Sequence, residues 1–475
     1  MEISNGVKNL KFPKIQTLGT LAIFLTMLGF LGFLLFYRLG NHPLIDWDEA
    51  IYAQVAKESF KNHNQLELTY FSNAWFEKPP VMIWLTETGY KIFGQNEFGA
   101  RFWVAFFALL TILLTALFIK ELSGSFLAVL LGIGSYLIFY QYLQHSYFLN
   151  FDIPAAFFIL FALYGYFKTY KDSRYFYLLA FALGMGIMVK SAIGLIVLPI
   201  IFLDLLWQKK SLVFKRQINK HFWKGCLLFL AITVPWHLFQ TLANGKKFWD
   251  NYLFFHVFGR YLTTLENHSG PFFYYLPLFF QNKLLALLCA ISLLYFAIKL
   301  IFARRSQNNY FLPLIAVLVI FLFFSLAKTK RYEYITIIYP FLAIIIGISL
   351  SQILKLTKLK IISFLGALIF LAIFIGLGWQ QNQFKLLKWE GEQIYLDNKA
   401  IAEFVKNQKA GTKVYQNPVA LLSGPSLNYY LGYQLQNLPS NLKLPGDFIL
   451  NPQYRIFHAN KKNIYKFNGF LYIDQ

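Results

Sequence analysis

Three carboxylates stand within four residues at Asp46-Trp47-Asp48-Glu49, directly ahead of an amphipathic stretch. Asp46 followed three residues later by Glu49 fits a capping box at a helix start. Asp48 is not needed for capping, and a carboxylate at that place can accept a proton from an incoming hydroxyl. About thirty residues later comes Trp75-Phe76-Glu77-Lys78-Pro79-Pro80. The prolines suit the first turn of a following helix. A lysine just before that turn adds to the positive helix end and favours a phosphate. The plainer alternative is an exposed Glu–Lys pair. Asp152, between Phe151 and Pro154, and Lys190, inside the Gly184–Leu198 apolar run, are charges at span ends. Such charges are functional suspects, although snorkelling explains Lys190 equally well. His256 and Arg260 are four apart and share a helical face, followed by Asn267, His268 and Pro271-Phe272-Phe273-Tyr274-Tyr275-Leu276-Pro277. Glu77 with His256 could hold a divalent cation (Zn, or Mg/Mn); a hydrogen-bonded interfacial histidine is the alternative. Finally, Lys328-Thr329-Lys330-Arg331-Tyr332-Glu333-Tyr334 packs three cations into four residues, which an anionic partner such as a lipid phosphate would offset.

These residues must be held by membrane helices. Of 475 residues, 57% are hydrophobic and only 14% charged, so the apolar surplus has to face lipid. Eleven apolar stretches are long enough to span: 17–37, 100–119, 126–142, 153–170, 175–189, 191–207, 225–243, 284–302, 311–327, 334–352 and 362–380. The fifth and sixth meet so closely at Lys190 that they can be read as one. The first carries no small-residue cleavage site behind it and is expected to be retained. Lys/Arg-rich short loops put the N-terminus in the cytoplasm, and loops 38–99 and 244–283 with the C-terminal 95 residues on the other side. Every candidate above then falls on that outer face. The net charge of +22 serves topology and anionic lipid. No basic run with interleaved aromatics lies outside the membrane segments, which argues against nucleic acid. Cys226 and Cys289 are too few and too far apart for a disulfide framework.

The first outer loop holds eight of the 22 acidic residues and two amphipathic helices expected to lie on the membrane surface. One has Ile51, Tyr52, Val55, Ala56 and Phe60 on its apolar stripe. The other has Val81, Trp84, Leu85, Thr88 and Ile92. An enzyme drawing a lipid substrate from the bilayer needs such a loop, whereas a transporter rarely does. Beyond Trp379 the pattern changes to a small soluble α/β appendage: a helix at 401–405, a strand at 413–415, a helix at 426–430, and turns at Leu444-Pro445-Gly446 and Asn468-Gly469. The expected domains are 1–380, in the membrane, and 381–475, outside it.

Asp48-Glu49, then Phe76-Glu77-Lys78-Pro79-Pro80, then Ile92-Phe93-Gly94 with Glu97-Phe98 and Arg101, form a specific combination. It resembles the polyprenyl-phosphate-dependent glycosyltransferases of the GT-C fold, within them the aminoarabinose transferase and dolichyl-phosphate-mannose-protein mannosyltransferase superfamily. Asp152, the glycine-rich approach to Lys190, His256 with Arg260, and Phe324-Ser325…Lys328-x-Lys330…Tyr334…Pro340 also fit. The resemblance spans most of residues 40–345. Phe255 stands where the family often has an acid, and Arg331-Tyr332 where it usually has Leu-Pro.

The resemblance implies an all-α polytopic membrane protein and an inverting transfer from a polyprenyl-phosphate sugar. The acceptor would be a lipid (lipid A-like), a glycan or a protein. Lys78, Arg260, Lys328, Lys330 and Arg331 are the expected phosphate ligands. Asp48, with Glu49 and Asp152, is the expected catalytic group. Glu77, Tyr52, Lys190, His268, Tyr274 and Tyr334 are the expected substrate contacts. The leaving group is already a phosphate, so clamping its charge is the principal catalytic effect. A monomer in the bacterial cytoplasmic membrane is expected, with its active site on the periplasmic face. The rival reading is a transporter or lipid-linked-glycan flippase. It predicts internal repeats with broken helices at the midplane, and no repeat is visible.

Overall fold

The computed structural model describes residues 15–207, 218–265, 268–280, 282–302 and 311–356. Beyond these it describes 376, 398–400, 402–403, 406, 414–416, 425–434, 436–437, 448–450, 463–467 and 470–474. The stretch at 362–380 and most of the helix expected at 401–405 lie outside the described residues.

After α1 (Ile15–Phe36) the loop 38–99 forms α2 (Asp48–Asn62), a short hairpin of β1 (Thr69–Tyr70) and β2 (Asn73–Ala74), and α3 (Val81–Phe93). Next come α4 (Glu97–Ser123), α5 (Phe126–Gly134) running into a 3₁₀ turn, α6 (Tyr140–His145), α7 (Asp152–Thr169), α8 (Tyr175–Lys190) and α9 (Val197–Trp207). The second half comprises α10 (Lys220–Trp249), which continues as a π-helical segment Asp250–Gly259 into the short α11 (Arg260–Leu262), then α12 (Leu276–Phe280), α13 (Lys283–Phe302) and α14 (Phe311–Leu326). A 3₁₀ segment Tyr332–Ile338 leads into α15 (Tyr339–Leu356). By length and composition, four helical runs among the described residues can cross a membrane: Glu97–Ser123, Tyr175–Trp207, Lys220–Leu262 and Tyr332–Lys355.

The run Tyr175–Trp207 is not one straight rod. Ser191 has φ 55°, and a Cβ placed on Gly194 would lie 2.7 Å from the carbonyl carbon of Gly186. In a continuous helix, residues eight apart are about 12 Å apart. The chain therefore reverses at Lys190-Ser191, and two glycines allow the returning segment to press on the last turn of α8. A second close approach joins α5 to α15, where a Cβ on Gly347 would lie 2.9 Å from Gly132 Cα. Helix α7 packs on α8, α8 on α10, and α4 on both α3 and α7.

The surface helices form where the apolar stripes lie, but α3 buries a different face from the one its stripe suggests. Met82, Ile83, Thr86 and Tyr90 are buried against protein, whereas Trp84, Leu85 and Thr88 are half-buried and Ile92 is 64% exposed. The stripe also meets protein in part: Trp84 donates to the Gln65 carbonyl and Thr88 accepts from Trp103, leaving Ile92 open.

Past the membrane helices, α16 (Pro425–Leu431) packs on α2. A five-stranded sheet joins β3 (Val414–Gln416), β4 (Gln436–Asn437), β5 (Phe448–Leu450), β6 (Asn463–Phe467) and β7 (Phe470–Asp474) in the order β4-β3-β5-β7-β6. β3 runs parallel to β4 and β5, and β7 antiparallel to β5 and β6.

Candidate active site

The start of α2 is fixed from below by Arg101 on α4. Its guanidinium donates to Glu49 through Nε (2.8 Å) and Nη2 (2.9 Å), and to the carbonyls of Leu39, His42 and Pro43. Glu49 also accepts the backbone N–H groups of Ile45 and Leu149, both at 2.8 Å. Glu49 and Arg101 are 4% and 1% exposed. Every lone-pair direction of Glu49 is thus engaged, and the carboxylate is a structural staple with no face toward substrate. This corrects its expected catalytic role. The capping-box reading of Asp46 also fails: the N-cap of α2 is Trp47, at φ 67°, with no side-chain cap. Asp46 instead accepts the N–H of Ser426 at 2.7 Å. Burial raises its carboxyl pKa, and the Ser426 bonds partly offset this.

Asp48, released from these duties, has a side chain 42% exposed and lies 3.7 Å from Arg331 Nη2. Arg331 bridges to Glu333 as well, so one guanidinium is shared by two carboxylates. These neighbouring charges outweigh burial and hold the Arg331 pKa above its ordinary value, so it stays a cation. Tyr52, one turn along α2, is only 3% exposed and sits edge-on to Phe151 and Trp75. It is a wall beneath the site, not the substrate contact expected of it. Burial, reinforced by Asp48 and Glu77, pushes its phenol pKa well up, so it stays neutral.

Beside this pair is a cavity of about 410 Å³. Glu77, Lys78, Lys190, Ser191, His256, Arg260, Tyr261, Thr329 and Tyr334 supply its polar lining. Ala192, Ile193, Val257, Phe258, Phe323, Phe324 and Ala327 form an apolar wall. Lys78 reaches it from the turn that Pro79 and Pro80 set before α3. Burial, with Arg260 and Lys190 nearby, pulls its ammonium pKa down to about 8. Burial raises the Glu77 carboxyl pKa, partly countered by Lys78. Lys190 is ion-paired to Asp152 at the head of α7 and lies 5.1 Å over the ring of Tyr334. Arg260 donates to the Tyr334 hydroxyl at 3.1 Å. Asp152 therefore holds a cation in place, and its own side chain is only 7% exposed.

The remaining cations do other work. Lys330 is 3% exposed, and its ammonium donates to the carbonyls of Phe324 (3.3 Å), Ser325 (2.6 Å) and Ala327 (2.8 Å). It caps the end of α14, where carbonyls lack helical partners, which corrects its expected phosphate role. Lys328 is exposed and outside the cavity lining. His268 is exposed and offers Lys330 its backbone carbonyl. Tyr274 is half-buried, also outside the lining. Glu77 and His256 do meet in the cavity, and His256 Nδ1 is buried without a hydrogen-bond partner. Among the described residues no group of three His, Cys, Asp or Glu side chains could hold a metal ion.

Two residues escaped the sequence reading. Glu333 shares Arg331 with Asp48; the signal was a carboxylate two residues after the cationic run. His145, 8% exposed, faces Tyr332 at 5.6 Å between ring centroids, and Asp152, Lys190 and Arg331 all lie within electrostatic reach. Its position at a span end was the available clue.

The chain is similar to several known proteins. The family model for dolichyl-phosphate-mannose-protein mannosyltransferase matches residues 77–239. An undecaprenyl phosphate-alpha-4-amino-4-deoxy-L-arabinose arabinosyl transferase of Pseudomonas fluorescens is 28% identical over 380 residues, covering 74% of this chain and 64% of that protein. An uncharacterized protein of Aquifex aeolicus is 29% identical over 349 residues, covering 71% and 66%. The chain thus spans a little under two thirds of the length of these relatives. Among solved structures, ArnT from Cupriavidus metallidurans bound to undecaprenyl phosphate superposes with a TM-score of 0.74 at 20% identity, covering 88% of this chain and 86% of that one. The oligosaccharyltransferase AglB of Archaeoglobus fulgidus, in complex with an inhibitory peptide and a dolichol-phosphate, gives 0.61 at 15% identity, covering 90% and 65%. The chain thus has the GT-C fold of these solved structures, and over residues 77–239 it is similar to the dolichyl-phosphate-mannose-protein mannosyltransferase family.

Proposed function

We propose that the protein is an integral-membrane inverting glycosyltransferase. It would move a sugar from a polyprenyl-phosphate donor to a lipid, glycan or protein acceptor at the extracytoplasmic face of the bacterial cytoplasmic membrane. The observation that carries this reading is the two-sided cavity. Lys78, Lys190 and Arg260 gather at its polar side, and Phe258, Phe323 and Phe324 line the other. A lipid-linked phosphate presents those same two chemistries. The relatives named for undecaprenyl-phosphate donors support the choice of lipid.

In the proposed reaction the donor phosphate enters the cationic end with its isoprenoid tail along the aromatic wall. As the anomeric C–O bond breaks, both electrons leave with the phosphate oxygen, whose growing charge Lys78 and Arg260 neutralise in place. Asp48 accepts the proton of the acceptor hydroxyl as it attacks the opposite face of the sugar. Arg331, 3.7 Å away, orients Asp48. If the acceptor is itself a phosphate, no base is needed, and Asp48 acts electrostatically. A transporter would place its polar groups along a midplane path; here they collect at one end of the helices.

The proposed organisation is eleven spans within 1–380 and a periplasmic α/β unit at 381–475. Helical structure at each of the first ten stretches supports it, as does the mixed sheet of β3–β7. The test is sugar transfer from a polyprenyl-phosphate donor by Asp48→Asn and Lys78→Ala. Each is expected to lose at least about a hundredfold in kcat/KM, as with other removed transition-state contacts. Wild-type rates in both would overturn the assignment.

A further inference from the structure

The segment leading into Asp48 is gripped from above as well as from below. The Leu44 N–H donates to the Tyr430 hydroxyl at 2.7 Å, and that hydroxyl donates to Glu97 at 2.9 Å. Lys399 closes on the same Glu97 oxygen at 2.7 Å. Ser426 donates its N–H to Asp46 at 2.7 Å. Further along α2, Lys57 donates to the Tyr429 carbonyl at 3.1 Å and lies 4.5 Å over its ring. These partners are more than 300 residues away in the chain. They converge on a turn whose last residue, Trp47, has φ 67° and is 69% exposed. A non-glycine residue in that conformation costs free energy and persists only where its surroundings over-determine it. The Trp47 side chain is mostly in the open, so the constraint has to come from its neighbours: Glu49 bound by Arg101, and Asp46 bound by Ser426.

We propose that α16 is a positioning element for the reaction: through Ser426–Asp46 and Tyr430–Leu44 it holds the strained turn that sets Asp48 against Arg331, beside the cavity. This rests on Asp48 being the acceptor base. It assigns the C-terminal part a role in kcat. Asp46 and Tyr430 are positioning residues; neither lines the cavity. The element belongs to the far end of the chain, so Asp48 is fully aimed only when that end has docked.

The test compares full-length wild type, Tyr430→Phe, Asp46→Ala and Asp46→Asn by hydrogen exchange and by transfer kinetics. Tyr430→Phe keeps the ring and removes both hydroxyl bonds. Exchange in peptides covering 40–50 is expected to rise, with α4 and α7 unchanged. The kcat should fall about 3- to 10-fold, the factor expected from losing the one of these two bonds that reaches the turn, from the Leu44 N–H, with the donor KM unmoved. Asp46→Ala should behave alike, while Asp46→Asn, which keeps an acceptor oxygen, should recover most of the rate. Unchanged exchange at 40–50 in both Tyr430→Phe and Asp46→Ala overturns the clamp even if no activity is ever found. Raised exchange with unaltered kcat shows that the contact is merely structural and likewise overturns it. A wild-type protein that transfers no sugar condemns the assigned reaction instead, and the exchange result still judges the clamp.

Discussion

Asp48 and Glu49 are adjacent carboxylates, and the structure gives them opposite jobs, so substituting each in turn separates stability from catalysis. Glu49→Ala leaves Arg101, 1% exposed, with its charge uncompensated, and strips the buried Leu149 N–H and the half-buried Ile45 N–H of their acceptor. Breaking one side of a buried ion pair costs about 3–5 kcal/mol. Asp48→Asn removes only a half-exposed charge 3.7 Å from Arg331. Such exposed pairs contribute about 0–1 kcal/mol. Thermal unfolding of the purified protein in one detergent is the assay, read beside donor turnover. Glu49→Ala should unfold on the order of 5 °C lower, and Asp48→Asn within about a degree of wild type while losing turnover. Equal midpoints for the two variants would refute the reasoning, as would a stable, inactive Glu49→Ala.

Three further outcomes follow from the same geometry. Lys78 has its pKa lowered to about 8 by burial. A phosphate prefers the charged ammonium, so donor affinity should be full below that pH and decline above it; Lys78→Arg, charged throughout, should flatten the alkaline limb in a binding titration. Lys330→Ala exposes three carbonyls at the end of α14 to loss of their shared donor, about 1–3 kcal/mol. It should lower the unfolding midpoint without raising the donor KM, whereas Arg260→Ala should raise the donor KM. Gly194→Ala pushes a methyl against the Gly186 backbone and should destabilise by about 1–3 kcal/mol; an unaltered unfolding midpoint would contradict the reversal at Lys190-Ser191.

Much of this was legible in the sequence, because hydrophobic runs and loop charges follow from the bilayer and need no tertiary knowledge. The same rules put Asp48, Lys78, Lys190, His256 and Arg260 on one face; in the structure the last four line one cavity, and Asp48 pairs with Arg331 outside that lining. What escaped depended on partners far apart in the chain. A capping box is a local rule, and it could not foresee that Asp46 would serve Ser426, 380 residues away. Lys330 looked like one more outward cation, until the end of α14 turned it inward to its own carbonyls. Burial made the difference for Glu49 and Tyr52, and burial is a property of packing. The stripe on α3 was read correctly as apolar, but its opposite face also packs, against α2 and α4.

The most direct test of the central claim is mass spectrometry of the lipids that the purified protein retains, with polyprenyl phosphate supplied in a parallel sample. The account predicts a retained polyprenyl phosphate or its sugar-linked form, lost in a variant carrying both Lys78→Ala and Arg260→Ala. Bulk phospholipid alone, even after excess polyprenyl phosphate, would contradict the cation clamp and return the transporter reading.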